Sequence, residues 1–232
     1  MNTQDITNIK KLLSSPKKII IVPHKNPDGD AIGSTLGLYH YLLKGNHQIH
    51  VISPNDYPNF LKWIPGEKTI LKHDSQTKIC DAFIEAADII FTLDFNALHR
   101  TGNMETVLAE SKAIKIMIDH HQAPDTYATY VFSDVSMSST CEMVYHFIEM
   151  LGDSNLIDNN IATCLYVGIM TDTGSFRFPS TTNKTHQIIA DLIEKGADNA
   201  NIHNQVFDAN SYQSLQLLGC ALTNLKMIPE CR

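Results

Sequence analysis

The feature that most constrains this chain is the alternation of short, continuous apolar runs with stretches of helical periodicity. The first run, residues 18–22, reads Lys-Ile-Ile-Ile-Val, which is typical of a strand buried on both faces. Four more candidate strands lie at residues 48–53, 88–93, 113–118 and 129–132. Candidate helices lie at residues 30–44, 75–87, 138–151, 159–170, 184–195 and 212–226. This alternation predicts an α/β fold with a mostly parallel five-stranded sheet and helices on both faces.

The charge balance limits the partners that the chain can have. Its 232 residues carry a formal net charge of -7, with 18 Lys and Arg against 25 Asp and Glu. A broad basic face for long duplex nucleic acid is therefore not expected. A small anionic substrate remains compatible with this charge if a few local cations or metal ions meet it.

The cysteines and the apolar runs bear on the compartment. The five cysteines are scattered and form no Cys-x-x-Cys pair, which fits reduced thiols better than a disulfide framework or a Cys-rich zinc site. They are Cys80, Cys141, Cys164, Cys220 and Cys231. The first residues lack the apolar core of a signal peptide, and no apolar run approaches the roughly 20 residues of a membrane span. We expect a cytoplasmic protein with no membrane association.

The first cluster of reactive side chains follows the first strand, and residues 24–34 read His-Lys-Asn-Pro-Asp-Gly-Asp-Ala-Ile-Gly-Ser. A strand–turn–helix connection alone would explain Pro-Asp-Gly as the turn and Asp30 as the helix cap. However, His24, Asp28 and Asp30 together form a density of metal ligands that a turn does not need. Gly33 and Gly37 are expected to permit close packing of the following helix on the sheet.

Three further clusters stand at strand or helix ends. Asp94 follows the run 88–93, Asp119, His120 and His121 follow the run 113–118, and Asp172 lies near the end of an apolar helix. Taken alone, each has a structural explanation as a turn or cap residue. Adjacent residues that leave a strand point in opposite directions, so the two histidines would have different roles. A carboxylate at a helix C-terminus opposes the helix dipole, and a cation would compensate it.

These clusters are expected to meet at one edge of the sheet. In an open α/β sheet, ligands bind outside the carboxyl ends of the strands, near the point where the strand order switches. So many carboxylates would repel one another without divalent ions, and a pair of ions about 3.5–4 Å apart is a standard device for displacement at phosphorus. Carboxylates with imidazole suit Mn²⁺ best, with Mg²⁺ or Co²⁺ as alternatives. The sequence therefore predicts two divalent metal ions.

The four clusters together resemble the motifs of the DHH (Asp-His-His) phosphoesterase family. They are His-x-Asn-Pro-Asp-Gly-Asp-Ala-Ile-Gly-Ser, the strand-end Asp94, Asp-His-His, and Thr-Asp-Thr-Gly-Ser-Phe-Arg, and they cover residues 19–177. The first motif most resembles the oligoribonucleases (nanoRNases) that also dephosphorylate 3′-phosphoadenosine 5′-phosphate. The related family II pyrophosphatases typically have Thr where Gly29 stands, which counts against that branch.

The resemblance implies two sets of metal ligands that share one carboxylate. The implied ligands are His24 and Asp28 for one ion, Asp30, His120 and Asp172 for the other, and Asp94 as the bridge between them. A water between the ions would become hydroxide at neutral pH and attack phosphorus in line.

The resemblance also implies residues that contact the substrate. His121 would sit beside the scissile phosphate as a contact and an acid, and Asp119 would orient the histidines. Arg100 and Arg177 are candidates for phosphate contacts because a guanidinium can bind phosphate in a bidentate manner, the alternative being surface salt bridges. Asn26 is a further candidate substrate contact. The implied substrate is a short single-stranded RNA or a small phosphorylated nucleotide.

The domain organisation and the substrate leave alternatives open. We expect a catalytic domain over residues 1–196 and a helical connector over residues 197–232. The connector resembles the link to the C-terminal substrate-binding domain of this branch, which we expect to be absent or truncated in this sequence. A leucine stripe in residues 212–226 could pack within the chain, support that domain or form a homodimer. Alternative substrates are linear or cyclic dinucleotides, polyphosphate and pyrophosphate. A non-catalytic metal- or nucleotide-binding module is the remaining alternative.

Overall fold

The computed structural model describes residues 2–226, and its centre is a six-stranded sheet. The strands are β1 (Lys18–Pro23), β2 (Gln48–Ser53), β3 (Ile70–Lys72), β4 (Ile89–Leu93), β5 (Ile114–Asp119) and β6 (Tyr130–Ser133). Their order across the sheet is β3-β2-β1-β4-β5-β6, and every neighbouring pair is parallel. The predicted α/β class with a parallel sheet is confirmed.

The prediction of five strands is wrong, because the sheet has a sixth strand, β3, that the sequence does not indicate. This strand has three residues and pairs with β2 at the edge of the sheet. Three residues are too few to establish a two-residue periodicity, so the sequence does not distinguish such a strand from a loop. As a consequence, Asp94 follows the fourth strand and Asp119 ends the fifth.

Helices cover the sheet, and six of them match the predicted segments to within three residues. The described α-helices are α1 (Thr3–Leu13), α2 (Gly29–Leu42), α3 (His73–Glu85), α4 (Glu105–Glu110), α5 (Thr140–Met150), α6 (Asn159–Asp172), α7 (Asn183–Glu194), α8 (Asn199–His203) and α9 (Tyr212–Thr223). Helices α1, α4 and α8 were not predicted; α4 and α8 have only six and five residues. None of the helices described here is long and apolar enough to cross a bilayer.

Apolar side chains fill both faces of the sheet. In β1, Ile19 and Ile21 face one core, whereas Ile20 and Val22 face the other, and all are buried. This is the two-residue alternation of a strand whose two faces are both covered. Helices α2, α5, α6 and α7 contribute to the first core, and α3 and α4 contribute to the second.

Helices α2 and α6 pack closely against each other. A Cβ at Gly33 would lie 2.6 Å from the carbonyl oxygen of Cys164, and a Cβ at Gly37 would lie 2.6 Å from Leu165. The two glycines therefore seat α2 against α6, rather than on the sheet as expected, because positions four apart share one face of a helix. Since Asp172 ends α6, this packing carries it to the start of α2.

The packed core continues beyond residue 196, where the sequence placed the end of the catalytic domain. Ala197 and Ile202 are buried in the first core, and Val206 packs against it. A π-helical turn, Asn204–Asp208, then leads to α9, whose residues are all exposed. The exposed leucines here are Leu215, Leu217, Leu218, Leu222 and Leu225. The division into 1–196 and 197–232 stays a prediction, and Cys231 lies outside the described residues.

Candidate metal centre

The candidate ligands converge at the carboxyl ends of β1, β4 and β5. The strand order reverses between β1 and β4, which is the place where α/β sheets open a crevice for ligands. His24 directly follows β1, Asp94 directly follows β4, and Asp119 ends β5. The start of α2 and the end of α6 bring the remaining carboxylates to the same place.

Two carboxylates begin helix α2, and they are held differently. Asp28 is the N-cap, and its Oδ1 accepts hydrogen bonds from the backbone N–H groups of Asp30 and Ala31, both at 3.0 Å. The interpretation of Asp30 as the cap is therefore wrong. The cap residue must precede the first turn so that its side chain can reach those N–H groups. Asp30 is instead free to point inward, where it is 1% exposed.

The start of helix α5 holds the buried carboxylate of Asp30. The backbone N–H of Thr140 donates to Asp30 Oδ2 at 2.6 Å, and the backbone N–H of Cys141 donates to Asp30 Oδ1 at 2.8 Å. A helix N-terminus favours a negative charge through both its free N–H groups and its dipole. This contact fixes the direction in which the Asp30 carboxylate faces the centre.

Asp94 lies at the middle of the cluster with a left-handed backbone. Its φ angle is 65°, a conformation that Asp tolerates better than most residues. The hydroxyl of Thr140 donates to its Oδ1 at 2.9 Å. His24 Nε2 lies 3.5 Å from its Oδ2, and His120 Nε2 lies 3.7 Å from its Oδ1. The carboxylate thus faces ligands of both implied sets, as a bridging residue must.

Two histidines present Nε2 to the carboxylates. His24 Nδ1 lies 2.8 Å from the carbonyl oxygen of Lys25, which can only accept, so the neutral ring carries its proton on Nδ1 and keeps a lone pair on Nε2. His120 Nε2 lies 3.9 Å from Asp30 Oδ2 and 3.6 Å from Asp172 Oδ2. Both rings are therefore oriented as metal-ligating histidines are.

His121 has a different arrangement from His120. Its Nδ1 lies 2.7 Å from Asp119 Oδ1, and its backbone N–H donates to Asp119 Oδ2 at 3.1 Å. Asp119 is fully buried, whereas the His121 side chain is 34% exposed. Asp119 therefore orients His121 alone, and not both histidines as expected, since His120 Nδ1 faces the carbonyl oxygen of Met137 at 3.4 Å.

The carboxylates repel one another and are poorly solvated. Burial raises the pKa of Asp30 well above its ordinary value of 3.8, and the charges of Asp94 and Asp172 raise it further. Burial likewise raises the pKa of Asp94, with a further contribution from Asp28. Burial also raises the pKa of Asp172, although His120 opposes the rise. Cations at this place would relieve both the repulsion and the loss of solvation.

The donor set fits divalent cations. Three groups have ligand atoms within 4.8 Å of one another: His24, Asp28 and Asp94; Asp30, His120 and Asp172; and Asp94, His120 and His121. The first two groups coincide with the two implied ligand sets, and Asp94 also belongs to the third. The donors are carboxylate oxygens and imidazole nitrogens, which suit hard to borderline divalent ions.

The candidate substrate contacts are placed unevenly. Arg100 is half-buried and its charge lowers the pKa of His121, whereas the hydrogen bond to Asp119 raises that pKa more. Arg177 is exposed and donates through Nε to the carbonyl oxygen of Gly174 at 2.7 Å. Asn26 is exposed, and its Oδ1 accepts from Asn55 at 2.9 Å. The charge of Arg100 therefore acts on His121 of the centre, whereas the contact recorded for Arg177 is with its own chain segment.

Thr140 and Cys141 are part of the centre and were not anticipated. They lie 110 and 111 residues from Asp30 in the chain. The local sequence Ser-Ser-Thr-Cys-Glu indicates only the start of a helix. Nothing in that segment reveals which carboxylate its free N–H groups would meet.

The chain belongs to the DHH family: residues 18–169 match the DHH family, N-terminal domain. It is 29% identical over 221 residues to the bifunctional oligoribonuclease and PAP phosphatase NrnA of Thermus thermophilus, covering 95% of this chain and 62% of that protein. It therefore spans less than two thirds of the length of this relative.

Two other proteins extend the comparison. The crystal structure of an exopolyphosphatase-related protein from Bacteroides fragilis has a TM-score of 0.95 and 41% identity, over 98% of this chain and 67% of that one. The cyclic-di-AMP phosphodiesterase GdpP of Bacillus subtilis is 29% identical over 201 residues, which are 82% of this chain and 30% of that protein. The names of these similar proteins therefore cover several phosphate esters and anhydrides.

Proposed function

We propose that this chain carries the catalytic centre of a metal-dependent phosphoesterase that hydrolyses short oligoribonucleotides to mononucleotides. The same centre would remove the 3′-phosphate of 3′-phosphoadenosine 5′-phosphate. The observation that carries this proposal is the position of His120 Nε2, within 3.9 Å of carboxylate oxygens from Asp30, Asp94 and Asp172. The similarity to NrnA supports the choice of substrate.

Two divalent ions would be held by the ligands already described, with Asp94 shared between them. When bound, such ions polarise phosphoryl oxygens and lower the pKa of a water molecule. Mn²⁺ is the preferred choice, because imidazole nitrogens accompany the carboxylates, whereas Mg²⁺ prefers oxygen ligands and water. Co²⁺ is the other alternative.

The protein's own residues position the substrate and move a proton. Asp119 accepts a hydrogen bond from the Nδ1–H group of His121 and raises the pKa of that ring. His121 can then give a proton from Nε2 to the oxygen that leaves phosphorus. Arg100 would hold a phosphate oxygen near His121. Arg177 and Asn26 remain candidates for more distant phosphate or sugar contacts.

The test is the release of mononucleotides from RNA of two to five residues, with Mn²⁺ present. Asp94→Ala should abolish release, because both implied ligand sets lose a member. Asp74→Asn is a matched control, since Asp74 is an exposed carboxylate on α3, and it should retain full activity. An Asp94→Ala protein as active as the wild type would refute the mechanism.

A second candidate function is the hydrolysis of linear or cyclic dinucleotides, which the similarity to GdpP supports. The similarity to the exopolyphosphatase-related protein supports a comparison with polyphosphate. Pyrophosphate stays an alternative from the sequence. A panel of dinucleotide, cyclic dinucleotide, pyrophosphate and polyphosphate at equal concentration would rank them. A chain that binds no Mn²⁺ in calorimetry would contradict all of these enzyme hypotheses. It would also contradict the alternative of a metal-binding module without turnover.

We also propose a cellular compartment and an oligomeric state for the protein. Cys80, Cys141, Cys164 and Cys220 are free thiols, which supports a reducing, cytoplasmic compartment. The exposed leucines of α9 support the hypothesis of a homodimer, and sedimentation of the 232-residue chain would test it.

A further inference from the structure

A cavity with an aromatic wall adjoins the metal centre. Its volume is about 350 Å³, and its lining includes Asp28 and Asp172 from the centre together with Phe60, Val206 and Phe207. A second cavity shares Asp28 and Phe60 with the first. Cavities of this size hold small organic ligands. We refer to the first cavity as the aromatic pocket.

Two short turns from distant parts of the chain present the phenylalanines. Phe60 belongs to the 3₁₀ turn Asn59–Leu61, and Phe207 belongs to the π-helical turn Asn204–Asp208. The two turns contact each other. π-Helical segments are rare and occur frequently at functional sites.

Each phenylalanine is exposed, although the adjacent residue in the chain packs into or against the core. Leu61 is completely buried and Val206 packs against the core, whereas Phe60 is 40% exposed and Phe207 is 46% exposed. The anchored neighbours hold both turns in place, so the rings are not exposed because the chain is loose. An exposed apolar patch that is rimmed by polar residues can mark a ligand-binding groove.

The pocket combines two chemistries. Its lining includes carboxylates of the candidate metal centre, where a phosphate would be held through cations. The same lining includes two aromatic rings. A ligand that satisfies both has a phosphate joined to a flat ring, which describes a nucleotide. Pyrophosphate and polyphosphate have no ring to place there.

We propose that Phe60 and Phe207 form a nucleobase subsite that selects nucleotides over inorganic phosphoanhydrides at this centre. The proposal rests on the proposed function, because it takes the phosphate to lie at the metal centre. Thr171 also lines the pocket, but its hydroxyl already donates within α6, to the carbonyl oxygen of Val167 at 2.9 Å. The Thr171 hydroxyl therefore has no proton left to donate to a base. The recognition proposed here rests on stacking, which tolerates any base.

The test compares the binding of adenosine 5′-monophosphate and ribose 5-phosphate to the 232-residue chain by calorimetry in the presence of Mn²⁺. The wild type should bind the nucleotide about tenfold more tightly than the base-free sugar phosphate, as expected for one stacked base. Phe60→Ala and Phe207→Ala should each lose most of this preference while their affinity for ribose 5-phosphate stays unchanged. Uridine 5′-monophosphate should bind within a few-fold of the adenosine nucleotide.

Two kinds of control keep the outcome interpretable. Phe207→Tyr should retain the preference, because the ring remains. Leu43→Ala truncates a residue that is 47% exposed at the opposite end of α2 and should change nothing. Thermal unfolding of every variant verifies that the fold is kept.

The possible results separate this inference from the proposed function. Equal affinity of the wild type for the two ligands would overturn the nucleobase subsite and leave the phosphate-binding centre intact. If the phenylalanine variants lose affinity for both ligands equally, the nucleobase subsite is also overturned. The rings would then support the shape of the site without contacting the base. If neither ligand binds the wild type with Mn²⁺ present, the proposed function itself fails.

Discussion

The metal centre and the aromatic pocket adjoin each other but are held by different means. Asp30 is 1% exposed and accepts hydrogen bonds from two backbone N–H groups at the start of α5. Phe207 is 46% exposed and lies on a five-residue π-helical turn. The candidate ligands of the centre are held in place by the protein alone, which would limit reorganisation when an ion binds. Because both phenylalanines are exposed, we expect their substitution to have little effect on the fold.

The largest effect is expected at the buried carboxylate of the centre. Asp30→Ala removes an implied metal ligand and leaves the N–H groups of Thr140 and Cys141 without their acceptor. Loss of a residue that only supports a metal ligand lowers activity about 10- to 100-fold. Loss of Asp30 should lower it further. Mn²⁺ calorimetry and hydrolysis of a short RNA measure this. A variant that keeps both would show that Asp30 only stabilises the fold.

Removal of metal ions should destabilise the chain, and more so as the pH rises. The pKa values of Asp30 and Asp94 are raised in the folded protein, so their protonated forms add stability at low pH. That contribution is lost as the pH rises above about 3.8 and through the raised values. Mn²⁺ at 100 times the Kd measured at pH 8 should restore about 2.7 kcal/mol there. The same concentration should restore less at pH 5, where protonated carboxylates bind the ion more weakly. Unfolding scans with Mn²⁺ or chelator at pH 5 and 8 test this, and a stabilisation that does not grow with pH would contradict it.

A smaller effect is expected for the carboxylate that orients His121. Asp119→Asn should lower activity about 10- to 100-fold, as loss of an outer-shell partner does, while Mn²⁺ affinity is largely kept. The hydrogen bond to Asp119 raises the pKa of His121, so its loss should lower that pKa. If His121 donates a proton, the fall in activity on the alkaline side moves to lower pH. An unchanged pH profile would remove His121 from the role of acid.

The smallest effect on stability is expected in the aromatic pocket. Phe207→Ala should change the free energy of unfolding by no more than about 0.5 kcal/mol, as for other exposed positions. Its Mn²⁺ affinity should equal that of the wild type, because the ring contributes no ligand. Denaturant unfolding and calorimetry check both values. A larger loss of stability would mean that the π-helical turn depends on the ring for its packing.

The elements that could be predicted are those with a pattern of their own. The run at residues 18–22 and the helix beginning near residue 30 have clear periodicity, and the structure contains both as β1 and α2. The three-residue β3 has no periodicity to detect, and the number of strands was therefore underestimated. Likewise, Pro-Asp-Gly-Asp indicates a helix start but does not decide which of Asp28 and Asp30 caps it, since both can.

The sequence by itself determined the class of fold, the ends of the five strands that it predicted and the residue types of the candidate metal centre. These depend on local periodicity and on four short motifs. Only the tertiary structure decided that α2 packs on α6, that Thr140 and Cys141 hold Asp30, and that Phe60 meets the same cavity as Phe207. Hydrogen bonds between residues 110 positions apart have no local signature. They arise when the order of the parallel strands and the closeness of two glycine-lined helices bring separate chain segments together.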